Sequence, residues 1–98
     1  MKATFYTGRD NYYTLACTLD DTPFDLSAAT DIEIKFPDGG VKLSEKPEVF
    51  EAIGSNMRLS LGEAGIPAGI HLAHIIVYTT AWPNGMVFGQ AEITVEEV

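Results

Sequence analysis

One stretch constrains the fold of this chain more than any other, because residues 69–95 have the pattern of two long β-strands around a short turn. The predicted strands, Ile70–Thr79 and Met86–Val95, are rich in residue types that fit a pleated, half-buried surface. Between them, Pro83-Asn84-Gly85 favours a turn, because Pro presets φ and Asn-Gly tolerates positive φ. A hairpin is not stable alone in water, so we expect the rest of the chain to cover at least one of its faces.

Shorter strand patterns precede this hairpin. Tyr12–Leu19, Thr30–Phe36 and Asn56–Leu61 alternate apolar with more polar residues, so each has one apolar face. In Thr30–Phe36 the polar face, including Glu33, is expected to point outward. Turn residues at 20–23 and 37–40 separate these strands from their neighbours, and further short strands are expected at 4–7, 41–44 and 49–53.

No segment has a helical period of useful length, so the count is seven or eight strands in 98 residues. This pattern predicts one all-β domain over residues 1–98, an immunoglobulin-like antiparallel β-sandwich. A small closed barrel is the alternative. One clean apolar face per strand favours the sandwich, because two stacked sheets bury one face each.

The acidic net charge of the chain argues against some classes of binding partner. The net charge is −8, from 14 acidic and 6 basic residues, so we expect neither nucleic-acid binding nor binding to an anionic membrane. The N-terminus lacks the apolar segment of a signal peptide. Cys17 is the single cysteine, so it has no partner for an intrachain disulfide and is expected to be a small core residue.

No residue pattern predicts catalysis, a metal or a cofactor, and we expect a protein that is not an enzyme. His71 and His74 are three residues apart in a strand and therefore point to opposite faces, which argues against a shared metal ion. Calcium is conceivable at a predicted loop that is rich in carboxylates, but these residue types also form turns. The carboxylates concerned are Asp20, Asp21, Asp25 and Asp31.

The terminal hairpin is apolar on both faces, although a two-layer sandwich needs only one. One hypothesis is that the second face docks onto another chain or self-associates, since large apolar patches mark interfaces. The alternative is that residues 4–6 or 45–55 fold over it. The candidate interface residues are Leu72, Ile76, Tyr78, Met86 and Phe88.

Trp82 is a second candidate, because it lies beside Pro83 in the hairpin loop. An exposed Trp can stack on a sugar or anchor a partner protein, whereas a Trp that folds back caps the core. A carbohydrate-binding module that uses Trp82 and tyrosines such as Tyr12 and Tyr13 is therefore an alternative function.

The order of segments is itself informative. One strand ends in Leu19-Asp20-Asp21-Thr22-Pro23-Phe24-Asp25-Leu26-Ser27-Ala28-Ala29, and Asp31-Ile32-Glu33-Ile34-Lys35-Phe36 follows. Later, Ala68-Gly69-Ile70-His71 opens a long strand, and the last strand ends in Glu92-Ile93-Thr94-Val95. This order resembles the small immunoglobulin-like N-terminal domain of tailed-bacteriophage structural proteins, among them upper-baseplate proteins and tail or head fibre proteins.

The resemblance covers Tyr12–Val95 and departs from the family's usual residues at three positions. Asp21 stands where Gly is common, Ala28 replaces a Gly, and His71 replaces an aromatic residue. The resemblance implies a virion or prophage assembly component, made in the bacterial cytoplasm. Its expected partners are other virion or tail proteins, or further copies of itself in a homo-oligomer.

Overall fold

The alternating apolar residues form ten β-strands in the computed structural model, which describes residues 1–98. Three single-turn 3₁₀ helices connect some of them: η1 Leu26–Ala28, η2 Pro47–Val49 and η3 Leu61–Glu63. The strands are β1 Lys2–Tyr6, β2 Tyr13–Ala16, β3 Thr18–Leu19, β4 Thr22–Pro23, β5 Asp31–Phe36, β6 Gly39–Lys42, β7 Phe50–Ile53, β8 Asn56–Leu59, β9 Gly69–Tyr78 and β10 Met86–Glu96.

The strand count exceeds the predicted seven or eight because the pattern over residues 12–19 is divided at Cys17 and because Thr22–Pro23, predicted to be part of a turn, forms the short strand β4. The Cys17 N–H donates to Ser55 O at 2.8 Å, and its carbonyl accepts from Phe24 N–H at 2.9 Å. The chain therefore changes partner there, from β8 to the two-residue strand β4. The turn between β3 and β4 is made by Asp20 and Asp21, which have φ of 52° and 61°.

Two sheets contain the other eight strands. Sheet A has the order β1-β10-β9-β5-β6, and sheet B has the order β2-β8-β7. β1 runs parallel to β10, while every other pair in the two sheets is antiparallel. The parallel pair is possible because β1 leads across to β2 in sheet B instead of turning back beside its neighbour. No strand of sheet A pairs with one of sheet B, so the sheets do not close into a barrel.

The core lies between the two sheets and draws on both. Ile32 and Ile34 of β5 are fully buried, as are Met57 and Leu59 of β8, which confirms the faces predicted for these strands. Residues from β1, β6, β7, β9 and β10 join them in one continuous cluster, which also includes Cys17, Leu26, Val49 and Leu61 from the connections and 3₁₀ helices. The predicted all-β, sandwich-like architecture is therefore confirmed.

The terminal hairpin forms as predicted, with one irregularity in its second arm. Val87 is the partner of Ile76 and Gly89 is the partner of Ile75, so Phe88 is an extra residue in β10. This β-bulge changes which face the following residues occupy. Phe88 consequently packs against the core, on the side opposite to the one predicted.

Gly62 of η3 supports the segment that leaves β1. Its carbonyl accepts the Gly8 N–H at 2.9 Å, and a Cβ at this position would overlap the main-chain oxygens of Tyr6 and Arg9. We therefore expect Gly62→Ala to lower the free energy of unfolding by about 1–3 kcal/mol, the usual cost of overpacking.

Gly39→Ala is the control, because a Cβ there has open space and the residue does not have positive φ. Urea denaturation of both variants measures the difference. Equal stability of the two variants would show that the contact around Gly62 is not tight.

Candidate functional site

The candidate site is the outer face of sheet A, meaning the side turned away from sheet B. Along β9, buried Ala73, Ile75 and Val77 alternate with residues on this outer face. Ile70 and Leu72 on the outer face are each 68% exposed, and no other element of the fold lies over them. The outer-face residues of β9 are Ile70, Leu72, His74, Ile76 and Tyr78.

Neither segment that could have covered this face does so. Residues 4–6 belong to β1, which extends the edge of sheet A, and residues 50–53 form β7 in sheet B. Only one corner of the outer face is covered: Gly85 of the hairpin loop lies against the side chains of Ile76 and Tyr78, which a Cβ at position 85 would meet. Most of the outer face is therefore open.

The predicted interface residues divide between the two faces. Leu72, Ile76 and Tyr78 lie on the outer face. Met86 and Phe88 lie on the core side, because the bulge at Phe88, which the sequence pattern did not predict, shifts the alternation in β10. Met86 is the register partner of Val77, whose side chain is buried, and Phe88 packs against the core. The placement of these two residues on the outer face was wrong.

Two other residues take their place on the outer face. Val87, the partner of Ile76, is 57% exposed, and Ile70 extends the apolar stripe at the other end of β9. Gly89 gave a clue in the sequence, since a glycine inside a strand pattern often marks a bulge.

A shallow groove of about 320 Å³ crosses the outer face beside β1. Leu72 and His74 line it from β9, and polar side chains line it from β1 and β10. Lys2 Nζ lies 3.6 Å from Glu92 Oε2, and Gln90 Nε2 lies 3.4 Å from His74 Nε2. An apolar floor with a polar border is the usual composition of a protein interface.

The opposite corner of the outer face holds a buried carboxylate. Glu33 lies on the outer face, as predicted, but its side chain is buried there and only 7% exposed. The Tyr78 hydroxyl donates to Glu33 Oε1 at 2.7 Å, and Lys42 Nζ lies 5.9 Å from the centre of the Tyr78 ring. Gly40 leaves room for the carboxylate, because a Cβ there would overlap Glu33 Oε2. The hydrogen bond to Glu33 raises the pKa of Tyr78.

Trp82 lies at the hairpin end of the fold and is half-buried. Its ring centre is 5.5 Å from that of Phe24 and 6.2 Å from that of Phe88, which are themselves 5.2 Å apart. Three hydrogen bonds between Thr79 and Trp82 close the loop: the Thr79 N–H donates to the Trp82 carbonyl, and the Trp82 N–H donates to both the carbonyl and the hydroxyl of Thr79. Trp82 therefore belongs to an aromatic cluster that caps one end of the core and retains a partly exposed ring.

The two histidines lie on opposite faces of β9, as their spacing predicts. His71 is on the core side, where its ring packs edge-on against Phe36 at 5.8 Å. Its Nε2 donates to the Pro67 carbonyl at 2.6 Å, which ties the connector before β9 to the strand. His74 is exposed on the outer face.

The four aspartates considered as calcium ligands have separate structural roles, and Asp20 and Asp21 form the turn between β3 and β4. Asp25 Oδ1 accepts the Ser27 N–H at 2.9 Å, which caps η1 and lowers the pKa of Asp25. Asp31 accepts both the hydroxyl and the N–H of Ser44. The structure contains no group of three or more metal-ligating side chains of the His, Cys, Asp or Glu types.

Cys17 is buried, as expected for a small core residue. It borders a cleft of about 190 Å³ between the sheets, together with Leu15, Ile75 and Phe88. Burial raises the pKa of its thiol, so the thiol form is favoured and nucleophilic character is low.

The outer face of sheet B differs in character from that of sheet A. The guanidinium carbon of Arg58 lies 3.7 Å from the centre of the Tyr12 ring, and Arg58 Nη1 lies 3.9 Å from Glu51 Oε2. Tyr12 and Ile53 border a groove of about 270 Å³ there. On this face the charged side chains of Arg58 and Glu51 contact each other and Arg58 stacks on Tyr12, while Ile53 is an exposed aliphatic residue at the edge.

Comparisons with known protein families and with curated protein sequences find no match to this chain. The three helical segments have three residues each, so none is long enough to cross a bilayer.

The hydrogen bond between half-buried Tyr78 and buried Glu33 makes a testable contribution to stability. Tyr78→Phe removes the only side-chain donor to Glu33, so we expect a loss of about 1–3 kcal/mol in the free energy of unfolding at neutral pH. Glu33→Gln is the control, because the amide oxygen can still accept from Tyr78 and no charge remains buried.

The same pair predicts a dependence on pH. Because the pKa of Tyr78 is raised above its ordinary value of 10.0, its contribution to stability is complete below that value and is lost as the pH rises through the folded-state pKa. The stability difference between wild type and Tyr78→Phe should stay constant from pH 7 to about 9 and shrink above about 10. Urea denaturation at several pH values measures it, and a difference that grows at alkaline pH would contradict the assignment.

Proposed function

We propose that this chain is a non-enzymatic structural module of a phage or prophage, of the baseplate, tail or fibre type, that acts by docking onto other protein chains. One observation carries the docking role, namely the open apolar outer face of sheet A. Ile70, Leu72 and Val87 expose more than half of their surface on one sheet face, next to half-buried Ile76 and Tyr78. Clustered exposure of this kind marks interaction sites, whereas single exposed apolar residues do not.

We further propose that the sandwich is of the immunoglobulin-like type. In that fold one sheet contains strands B, E and D, and the other contains G, F and C with C′ added in the variable type. The order β2-β8-β7 corresponds to B-E-D, and the order β10-β9-β5-β6 corresponds to G-F-C-C′. The disulfide that joins B and F in antibody domains has no counterpart, because Cys17 is the single cysteine.

The phage assignment is supported by the resemblance over residues 12–95. The segment that carries most of it, Leu19–Ala29, makes the β3–β4 ribbon and η1. Asp25 caps η1, and Leu26 of the same segment is buried, so this motif closes one end of the core.

The carbohydrate-binding alternative has less support. A sugar platform needs an aromatic ring with a free face. The Trp82 ring packs against Phe24 and Phe88, and Arg58 stacks on Tyr12. One observation still supports sugar binding as a second candidate function: Tyr12 lies in a groove that is lined by both polar and apolar side chains.

Virus particles test the structural role. After prophage induction in the source bacterium, an antibody against this chain should detect it in gradient-purified particles, at a constant ratio to the tail proteins. An allele with Leu72→Glu should yield particles that lack the chain, because the buried charge opposes docking.

Ile53→Glu is the matched control allele, since Ile53 is 63% exposed on sheet B and gains the same charge. A chain that remains wholly in the soluble fraction while complete particles form would overturn the proposal.

Sugar binding is tested by Trp fluorescence, which reports directly on Trp82, the single tryptophan. Titration with mono- and oligosaccharides, followed by a glycan array, should show no change in emission and no bound glycan. A saturable shift that disappears in Trp82→Phe or Tyr12→Ala would favour the carbohydrate-binding function instead.

A further inference from the structure

The outer face of sheet A carries little of the protein's negative charge. It has three basic and four acidic side chains, a net charge of −1 out of −8 for the chain. Two copies that approach through this face therefore bring few of their acidic residues directly together. The charged residues of the face are Lys2, Lys35, Lys42, Asp31, Glu33, Glu92 and Glu96.

The charges on this face are unevenly divided on the two sides of β9. Lys35 of β5 and Lys42 of β6 lie on one side, and neither has an ion pair within the chain. Glu92 and Glu96 of β10 lie on the other side, together with Lys2 of β1, whose Nζ lies 3.6 Å from Glu92 Oε2. On the first side the carboxylate of Glu33 is buried against Tyr78 and that of Asp31 accepts hydrogen bonds from Ser44, which leaves Lys35 and Lys42 as the charges there without a hydrogen-bonded or ion-paired side chain.

We propose that the outer face of sheet A binds a second copy of this chain, face to face, with the two-fold axis parallel to β9. This proposal rests on the proposed docking function and specifies that the docking partner is a second copy of the chain. In this arrangement the apolar residues of β9 pack on those of the partner, and the side that bears Lys35 faces the side that bears the partner's Glu92. A two-fold axis perpendicular to β9 would instead place Lys35 on the side of the partner's Lys35, which is repulsive.

The area of the face suits a weak, specific dimer. β9 and β10 are roughly 33 Å long, and five strands span roughly 20 Å, but β1, β5 and β6 are shorter. The face therefore offers roughly 500–600 Å² per copy, or about 1,100 Å² for the pair. Specific interfaces need at least about 1,000 Å², so the dimer lies near the lower limit and forms at micromolar or higher concentration.

Light scattering after size exclusion, from micromolar to millimolar protein, tests the partner. Wild type should move from monomer to dimer as concentration rises, and no larger species should accumulate, because a two-fold contact is closed. Leu72→Glu should raise the dissociation constant at least about tenfold, while Ile53→Glu should leave it unchanged.

Charge reversal tests the direction of the axis. Lys35→Glu and Glu92→Lys should each weaken the dimer, and the double variant should recover affinity, because the opposite charges are exchanged between the two sides. The recovery should diminish at high salt. Single variants that leave the dimer unchanged would overturn the parallel axis.

Crosslinking gives an independent check of the same geometry. With the axis parallel to β9, position 72 of one copy lies near position 72 of the other, so Leu72→Cys should be joined by a short bismaleimide. Ile53→Cys should not be joined, and the native Cys17 should not react because it is buried.

The outcomes separate this inference from the proposed function. A wild type that remains monomeric at all concentrations overturns the second copy as partner. The docking function then stands if Leu72→Glu still excludes the chain from particles, and it fails as well if that variant is incorporated normally.

Discussion

β9 is the strand on which the rest of the structure depends. It is hydrogen-bonded to β10 on one side and to β5 on the other, so it is the central strand of sheet A. Its odd-numbered residues from Ala73 to Val77 are buried against sheet B, while its even-numbered residues form the outer face. One ten-residue segment thus contributes to the core and to the candidate interface at once. A change in its register by one residue would exchange these two sets of side chains.

The two faces of β9 impose different physical demands. The inner residues are held by close packing, where a lost methylene leaves a cavity or a gap. Of the outer residues, Ile70 and Leu72 are each 68% exposed, so their contribution to the folded state is small and they are accessible to a partner, whereas Tyr78 is held by its hydrogen bond to Glu33. Exposed apolar residues that contribute little to the fold and lie side by side are the basis of the docking role proposed for this face.

The sequence was sufficient to predict the sandwich-like architecture, the terminal hairpin and the core faces of β5 and β8, because alternation with a period of two is a local property. It was not sufficient to predict that Phe88 faces the core, since one extra residue in β10 shifts the alternation of faces without altering the composition. Burial of Glu33 could not be predicted either. Its donor, Tyr78, is 45 residues away in the chain, and the space for its carboxylate depends on Gly40 across the sheet. Both features depend on how strands pair with one another, and the sequence of a single strand carries no information about its partners.

The bulge at Phe88 divides β10 into two halves of opposite parity. Before it, even-numbered Met86 lies on the core side and Val87 on the outer side; after it, odd-numbered Ala91 and Ile93 are buried. Tolerance to substitution along this strand should therefore change phase at one residue. In a scan of polar replacements through β10, the alternating pattern of damaging and harmless positions would break at 88 and 89, where two successive residues face the core, and then resume in the opposite phase.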